Sequence, residues 1–418
     1  MKIKTLLMVV FFSVIVPGNI GFVLGMIRGQ ENISSGMTWK SLGGALNVEP
    51  QHFAEIPAIA LDVKGNPTVA WSEAKGEASS RKMYVKQWNR NQWVQLDPKA
   101  LNTDLQGQTT PAFPSLALDA QGYPIVAWLK AQDVDSPAGV YVKRWDGNKW
   151  IPLGSKSLNI DQTYDAYPPQ LLLDAQGNPI VAWSEQKDAD SPLNLYVKSW
   201  NGQDWAQFGS ESLNVDPQKD AHIPALVVNL QGYLGVAWEE GSGRLDPRHI
   251  YTKRWNGSDW IQVSSMPYNV GQQDAYVTSL ALDAQNVLNV GWSEGDKTRG
   301  FVQNVFVQRW NQNQWTPLGL GSLNINPGKS AGDTRLALDS NGNPSVAWTE
   351  QIEIDGFDRL NLYVKHWDGA HWMHGNIASL NIDPKNSVLT FSFTVDAKGN
   401  PSVVWCEGKK IYVKQGSR

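Results

Sequence analysis

The sequence predicts an all-β protein: a seven-bladed β-propeller of four-stranded antiparallel blades, its ring closed by an N-terminal D strand that completes the C-terminal blade. Three observations carry this expectation. The tripeptide Val-Ala-Trp, or a near variant, ends at Trp71, Trp128, Trp183, Trp238, Trp292, Trp348 and Trp405, at spacings of 57, 55, 55, 54, 56 and 57 residues. A period of that length without helical periodicity is the signature of a propeller blade. The first repeat-like strand, at 39–47, reads as a D strand with no A, B or C before it, and the last unit ends after strand C at Lys414. Joining the two leaves no long open edge.

One unit shows the elements in order. Strand A runs from Pro169 to Leu173, where Leu171 and Leu173 alternate with Gln170 and Leu172. Asp174 to Pro179 makes a tight turn, with the Asp side chain capping amides and Gly177 supplying positive φ. Strand B is Ile180 to Glu185, strand C is Leu195 to Trp200, and Asn201-Gly202 opens a short hairpin into strand D, which ends at Leu213-Asn214. All 20 tryptophans obey the repeat: seven end strand B, seven begin strand D, and six precede the C-to-D turn, where Gly416 holds the remaining place. Repetition in every blade favours packing between blades over an aromatic ligand cage.

The propeller is expected over 37–418, preceded by a linker at 26–36 and a signal peptide or N-terminal membrane anchor at 1–25. Lys2 and Lys4 precede an apolar run from Thr5 to Val16, Pro17-Gly18 interrupts the helix expected there, and a second apolar stretch follows. Residues 5–27 carry no charge, so an uncleaved anchor is the alternative to a cleaved signal. Either way the propeller is expected outside the membrane, secreted or at the cell surface, as a monomer. A net charge of −4 and no dense Lys/Arg run argue against nucleic acid as a partner. The single cysteine, Cys406, excludes an intrachain disulfide and a multi-cysteine metal site.

The run 171–185, Leu-Leu-Leu-Asp-Ala-Gln-Gly-Asn-Pro-Ile-Val-Ala-Trp-Ser-Glu, followed by Leu195-Tyr-Val-Lys-Ser-Trp-Asn-Gly202, resembles propeller repeats of large bacterial surface proteins of unassigned function. The resemblance spans residues 38–415. The Asn/Asp-Gly-x-x-Trp hairpin is similar to a degenerate sialidase Asp-box that lacks the opening Ser/Thr-x-Asp, and the likeness to seven-bladed lectins is one of architecture. Fold similarity does not carry function.

Candidate sites therefore come from breaks in the repeat. From the strand B Trp to the strand C aromatic the spacing is 13, 13, 13, 13, 14, 15 and 7 residues, and these loops share little sequence. Variable loops on a rigid frame are where binding residues concentrate. Three consecutive blades carry Asp-Ala-aromatic just before strand A: Asp165-Ala-Tyr167, Asp220-Ala-His222 and Asp274-Ala-Tyr276. Tyr167, His222 and Tyr276 would form an arc at the channel mouth, suited to a sugar or peptide; the competing reading is that they plug the channel. Glu55 holds the equivalent place in the first blade. Arg335, the one charge in the four-residue core of any strand A, lies near Asp333 and suits a carboxylate or phosphate, or a solvated ion pair.

Six blades place Glu two residues after the strand B Trp, and the seventh has Lys130. A ring of carboxylates suggests acid/base or cation chemistry, but a group repeated in nearly every blade reads as structural. The lysines that recur in strand C offer pairing partners, which the sequence leaves open because Lys130 shares a blade with Lys143 and Glu294 with Gln308. Calcium is the one cofactor suggested, by Asp133-x-Asp135, Asp188-x-Asp190 and Glu353-x-Asp355, and none completes a twelve-residue loop ending in Glu. The preferred functional reading is an extracellular module that binds a glycan or protein through its loop face. A glycosidase- or lyase-type enzyme with its site at the mouth, and a purely structural surface protein, are the alternatives.

Overall fold

The computed structural model describes residues 6–16, 19–29, 37–76, 80–102, 112–131, 136–228, 232–242, 249–263, 275–283, 285, 287–296, 302–311, 314–374 and 378–417. It is all β. Seven blades of antiparallel strands form a ring, the first running through Phe53–Leu61, Pro67–Ala74, Lys82–Trp88 and Trp93–Gln95. Strand A of each blade packs beside strand A of the next, and that of blade 7 meets that of blade 1, so the A strands surround the axis.

Closure is as the sequence requires. Blade 7 consists of Val388–Val395, Pro401–Glu407 and Lys410–Ser417, and its fourth strand is Thr38–Ser41, paired in the register Thr38↔Ser417 to Ser41↔Lys414. Trp39 lies opposite Gly416, where a Cβ would come within 2.8 Å of Pro401 Cγ and 3.0 Å of Met37 Sδ. Those two side chains fill the space beside Gly416 that a Trp side chain occupies in the other blades. Strand D is regular for only about three residues in most blades; in blade 3, after Trp205–Gln207, the chain bends and returns through Phe208 N–H to Val197 O and Leu213 N–H to Leu195 O.

The core lies between sheets rather than within one. Among the described residues seven apolar clusters form, one for each seam between neighbouring blades. Every strand B Trp is at most 1% exposed and stacks at a tilt against the strand C aromatic, as Trp183 does on Tyr196 at 6.3 Å. Burying one such side chain removes about 200 Å² from water, or roughly 5 kcal/mol gross. All but Trp39 of the other tryptophans pair across the C-to-D turn, as Trp200 and Trp205 do at 5.5 Å, and Trp205 also reaches the preceding blade, where its Nε1 donates to Leu153 O.

Three sequence expectations need correction. The A strands are longer than the sequence suggested, for example Asp220–Val228, because a β-bulge lets the chain keep pairing beyond the short core. In blade 3 Pro168 and Pro169 lack the N–H such pairing needs, and strand A is split into Asp165–Ala166 and Gln170–Leu173. At the N-terminus, Leu6–Val16 and Asn19–Gly29 form an antiparallel strand pair, not the interrupted helix expected there. Among the described residues no helix is long and apolar enough to cross a membrane, and residues 30–36 of the expected linker lie outside them.

Deleting residues 37–48 should abolish cooperative unfolding, because it exposes the edge of Lys410–Ser417 and removes Leu42 and Leu46 from the seam between blades 7 and 1. Thermal unfolding and size-exclusion chromatography check this; an unchanged melting temperature in a monomeric deletion would contradict the closure.

Candidate functional site

The recurrent glutamates are occupied by the frame. Glu240, 1% exposed, accepts from Trp238 Nε1 at 2.8 Å and from two backbone N–H groups of the preceding blade's exit loop, Val215 at 2.9 Å and Asp216 at 2.7 Å. Glu73, Glu185, Glu350 and Glu407 do the same at their seams. A carboxylate with three donors satisfies orphan amides of a tight loop and leaves little capacity for catalysis. Burial pushes the Glu185 carboxyl above its ordinary value, with the donors and the Lys198 charge pulling the other way.

The strand C lysines donate elsewhere: Lys198 Nζ reaches Leu158 O at 2.6 Å across the seam while lying 5.6 Å from the Trp183 ring centre. Burial lowers the Lys198 ammonium, and the Glu185 charge opposes the shift. The Leu-Asn pair that ends strand D is equally structural. Asn214 Oδ1 accepts from Leu195 N–H, and its Nδ2 donates to Leu193 O and Lys219 O.

With these accounted for, the breaks in symmetry gather at the axial end of strand A. Tyr167 is 38% exposed; its hydroxyl donates to Gln186 Oε1 at 3.0 Å and its N–H to Ser184 O at 2.8 Å. Burial, then the charges of Asp165 and Asp220, push its phenol above the usual value, so it is a neutral donor at physiological pH. His222 is half-buried, with Nε2 3.8 Å from Asp220 Oδ2. The two aspartates also serve the frame. Asp165 Oδ1 accepts from Ala138 N–H and Asp220 Oδ1 from Leu193 N–H, each in the preceding blade, while the following alanines are buried. Tyr276 pairs through its backbone with Ser293; its side chain, and all of Asp274, lie outside the described residues.

Arg335 closes on its own neighbours: Nη2 lies 3.5 Å from Asp333 Oδ1, Nη1 donates to Thr334 O, and the guanidinium sits 5.6 Å from the Phe391 ring centre in blade 7. Glu55 forms an ion pair with Arg81, a partner the sequence did not single out. It also gave no sign of Phe113, 41% exposed in strand A of blade 2. Ile56, Phe113 and Asp333 have φ of 52°, 54° and 57°, a left-handed conformation at the bulge that follows the mouth position. Such strain in a β-branched residue persists only where the surroundings enforce it.

Not every B-to-C connection is a variable loop. Blade 6 extends Pro344–Ile354 and Phe357–Trp367 as one hairpin turning at Asp355-Gly356, and blade 7 turns at Gly408-Lys409, all four residues at positive φ. The acids considered for calcium are engaged locally: Asp188 Oδ1 accepts from Ser191 Oγ, and Asp355 pairs with Lys385 at 2.8 Å. Asp133 and Asp135 lie outside the described residues, among which no group of three or more candidate ligands assembles. On the side of the A-to-B and C-to-D turns, a groove of about 550 Å³ lies between blades 2 and 3, lined by Tyr123, Arg144, Asn178 and Trp200.

The sequence matches no protein-family model and no curated protein. Solved structures of propellers are similar in fold. An ulvan lyase of a polysaccharide lyase family aligns with a TM-score of 0.55 at 14% identity, over 91% of this chain and 94% of its own. The α-L-arabinofuranosidase Arb93A from Fusarium graminearum aligns with a TM-score of 0.50 at 12% identity, over 80% and 98%. A Hadza microbial sialidase gives 0.49 at 14%, over 83% and 75%. The lyase and the arabinofuranosidase are glycan-active enzymes, and at such identities their likeness establishes the fold alone.

Replacing Glu240 by Ala should cost about 3 kcal/mol or more, since it leaves an indole N–H and two backbone N–H groups without their acceptor. Denaturant unfolding checks this. A loss below about 1 kcal/mol would mean that the carboxylate does not hold the seam.

Proposed function

We propose that the protein is an extracellular glycan-binding propeller whose site is the axial mouth formed by the first halves of the A strands. One observation carries the reading: Tyr167 and His222 occupy corresponding positions in adjacent blades, at the end of the ring where framework demands relax, and Tyr276 follows in the next. An aromatic face with a hydroxyl or imidazole at its edge stacks on a sugar ring and hydrogen-bonds its hydroxyls. The Arg335–Asp333 and Glu55–Arg81 pairs supply charged edges on strand A of blades 6 and 1. An N-terminal leader or anchor would deliver this surface outside the cell.

A second reading, glycosidase- or lyase-type turnover at the same mouth, is favoured by the Asp220 carboxylate beside His222. A carboxylate beside an imidazole favours its charged form, and a protonated imidazole can hand a proton to a leaving group. A glycan array combined with a broad polysaccharide substrate screen on residues 37–418 separates the two, because turnover would overturn the binding-only reading.

Changing Tyr167, His222 and Tyr276 together to Ala should abolish glycan binding. Each aromatic contact at a binding hot spot is worth roughly 2 kcal/mol. Unfolding should stay cooperative, because the seam tryptophans are untouched. Affinity and melting temperature measured on the same triple variant decide the matter. Strong destabilisation would identify a channel plug, and retained binding would place the site elsewhere.

A further inference from the structure

Four blades close the A-to-B turn with an asparagine whose amide donates to the turn's own aspartate: Asn66 to Asp62, Asn178 to Asp174, Asn343 to Asp339 and Asn400 to Asp396. Blade 2 has Tyr123 in that place, and Asp119 Oδ2 accepts instead from Arg144 Nη2 of strand C at 2.6 Å. Arg144 is thereby lost to the seam. The strand C residue in its position elsewhere reaches the turn glycine of the next blade: Gln87 Nε2 to Gly122 O at 3.2 Å, Arg309 Nη2 to Gly342 O at 2.6 Å and Gln415 Nε2 to Gly65 O at 2.9 Å. In those three seams the turns touch, since a Cβ on Gly122, Gly342 or Gly65 would meet the preceding turn's aspartate at 3.8, 2.9 and 3.3 Å. Where the bridge is missing, after Arg144 and after Ser199, a Cβ on Gly177 or Gly232 would meet nothing within 4 Å. Arg309 faces the same alternative as Arg144, because Val287 offers Asp283 no amide, but Asn289 Oδ1 holds its Nε at 3.0 Å and Ile125 stands in that place in blade 2.

We propose that the groove opened in this way between blades 2 and 3 is a second binding site, for a neutral sugar unit, on the face opposite the mouth. Its volume of about 550 Å³ is that of a small-molecule site. Exposed Tyr123 and half-buried Trp200 give it aromatic surface for the C–H face of a sugar ring. Polar groups of both kinds border it. Arg144 has guanidinium N–H groups that Asp119 leaves unused, the Asp146 carboxylate accepts, and among the described residues no donor reaches Gly177 O, the acceptor that the bridge serves in other seams. A sugar hydroxyl both donates and accepts, so it can serve Gly177 O in the bridge's stead while receiving from Arg144. The one cation is matched by Asp119, and Asp146 adds a negative charge, so the groove favours a neutral ligand over an anion. The site stands apart from Tyr167 and His222 and does not depend on them.

The test is an array of neutral gluco-, galacto-, manno- and xylo-configured oligosaccharides, set beside uronic-acid and sulfated ones and probed with the full chain. Two variants close the groove with residues that the repeat itself uses. Arg144→Gln supplies the side chain that bridges to the next turn from Gln87 and Gln415, and Tyr123→Asn restores the cap of four other blades and releases Arg144. Both should keep the wild-type melting temperature, and each should bind the neutral oligosaccharides at least tenfold more weakly. The variant with Tyr167, His222 and Tyr276 changed to Ala should retain that neutral binding, which separates this site from the mouth. Should one groove variant fail to fold, the other decides, and should the mouth variant unfold, the two groove variants decide. The proposal is overturned if no neutral oligosaccharide binds, if only the acidic ones do, or if either folded groove variant binds as the wild type does. It is also overturned if a folded mouth variant loses all neutral binding, which would assign every sugar contact to the mouth.

Discussion

The buried tryptophan of strand B, with the glutamate two residues beyond it, is the interaction on which the ring depends. A propeller blade is a single twisted sheet with no core of its own; it becomes stable when both faces meet other blades. The indole supplies the apolar area at that meeting. The carboxylate does what apolar contact cannot, because it pins the exit loop of the preceding blade through two backbone amides and so fixes the stagger of one sheet against the next. Each seam thus joins a non-directional force to a directional one.

That division of labour shapes the mouth. Around the axis, adjacent A strands are tied by small hydroxyls: Ser115 accepts from Leu171 N–H, Ser279 from Leu336 N–H and Ser392 from Ile59 N–H. Such short contacts hold the inner strands close, and the bulges just beyond let the chain splay outward. Residues past the bulge are consequently held by backbone pairing while their side chains escape the repeat. This is where aromatic and charged side chains diverge from blade to blade, on a support as rigid as the core.

The fold was legible because its determinants are side chains repeated at a fixed period, and the closing strand was legible because a fragment absent at one end appeared at the other. The glutamates were only half legible. Their repetition pointed to structure, but two of the three donors to Glu73, Glu185, Glu240, Glu350 and Glu407 are backbone amides, which have no signature in sequence. Asp165 and Asp220 look like site residues in the sequence for the same reason: the amides of Ala138 and Leu193 that engage them belong to the preceding blade. The bulges were missed because they are properties of register, and among the described residues Ile56, Phe113 and Asp333 mark three of them through a conformation that sequence does not encode simply.

Joining Thr38 to Ser417 brings together residues 379 positions apart. Closing a flexible loop of that length costs about 5 kcal/mol in chain entropy, and nothing local rewards it in advance. Blade-internal hairpins form early, since their partners are near in order of synthesis, whereas the last seam waits for a strand made hundreds of residues before its partner. Contact order is therefore concentrated in a single event, and the rate of reaching the native state should reflect how long the segment 38–46 stays available before it finds blade 7. An aggregation-prone edge is exposed for the same interval, which makes the speed of folding matter as much to this architecture as its final stability.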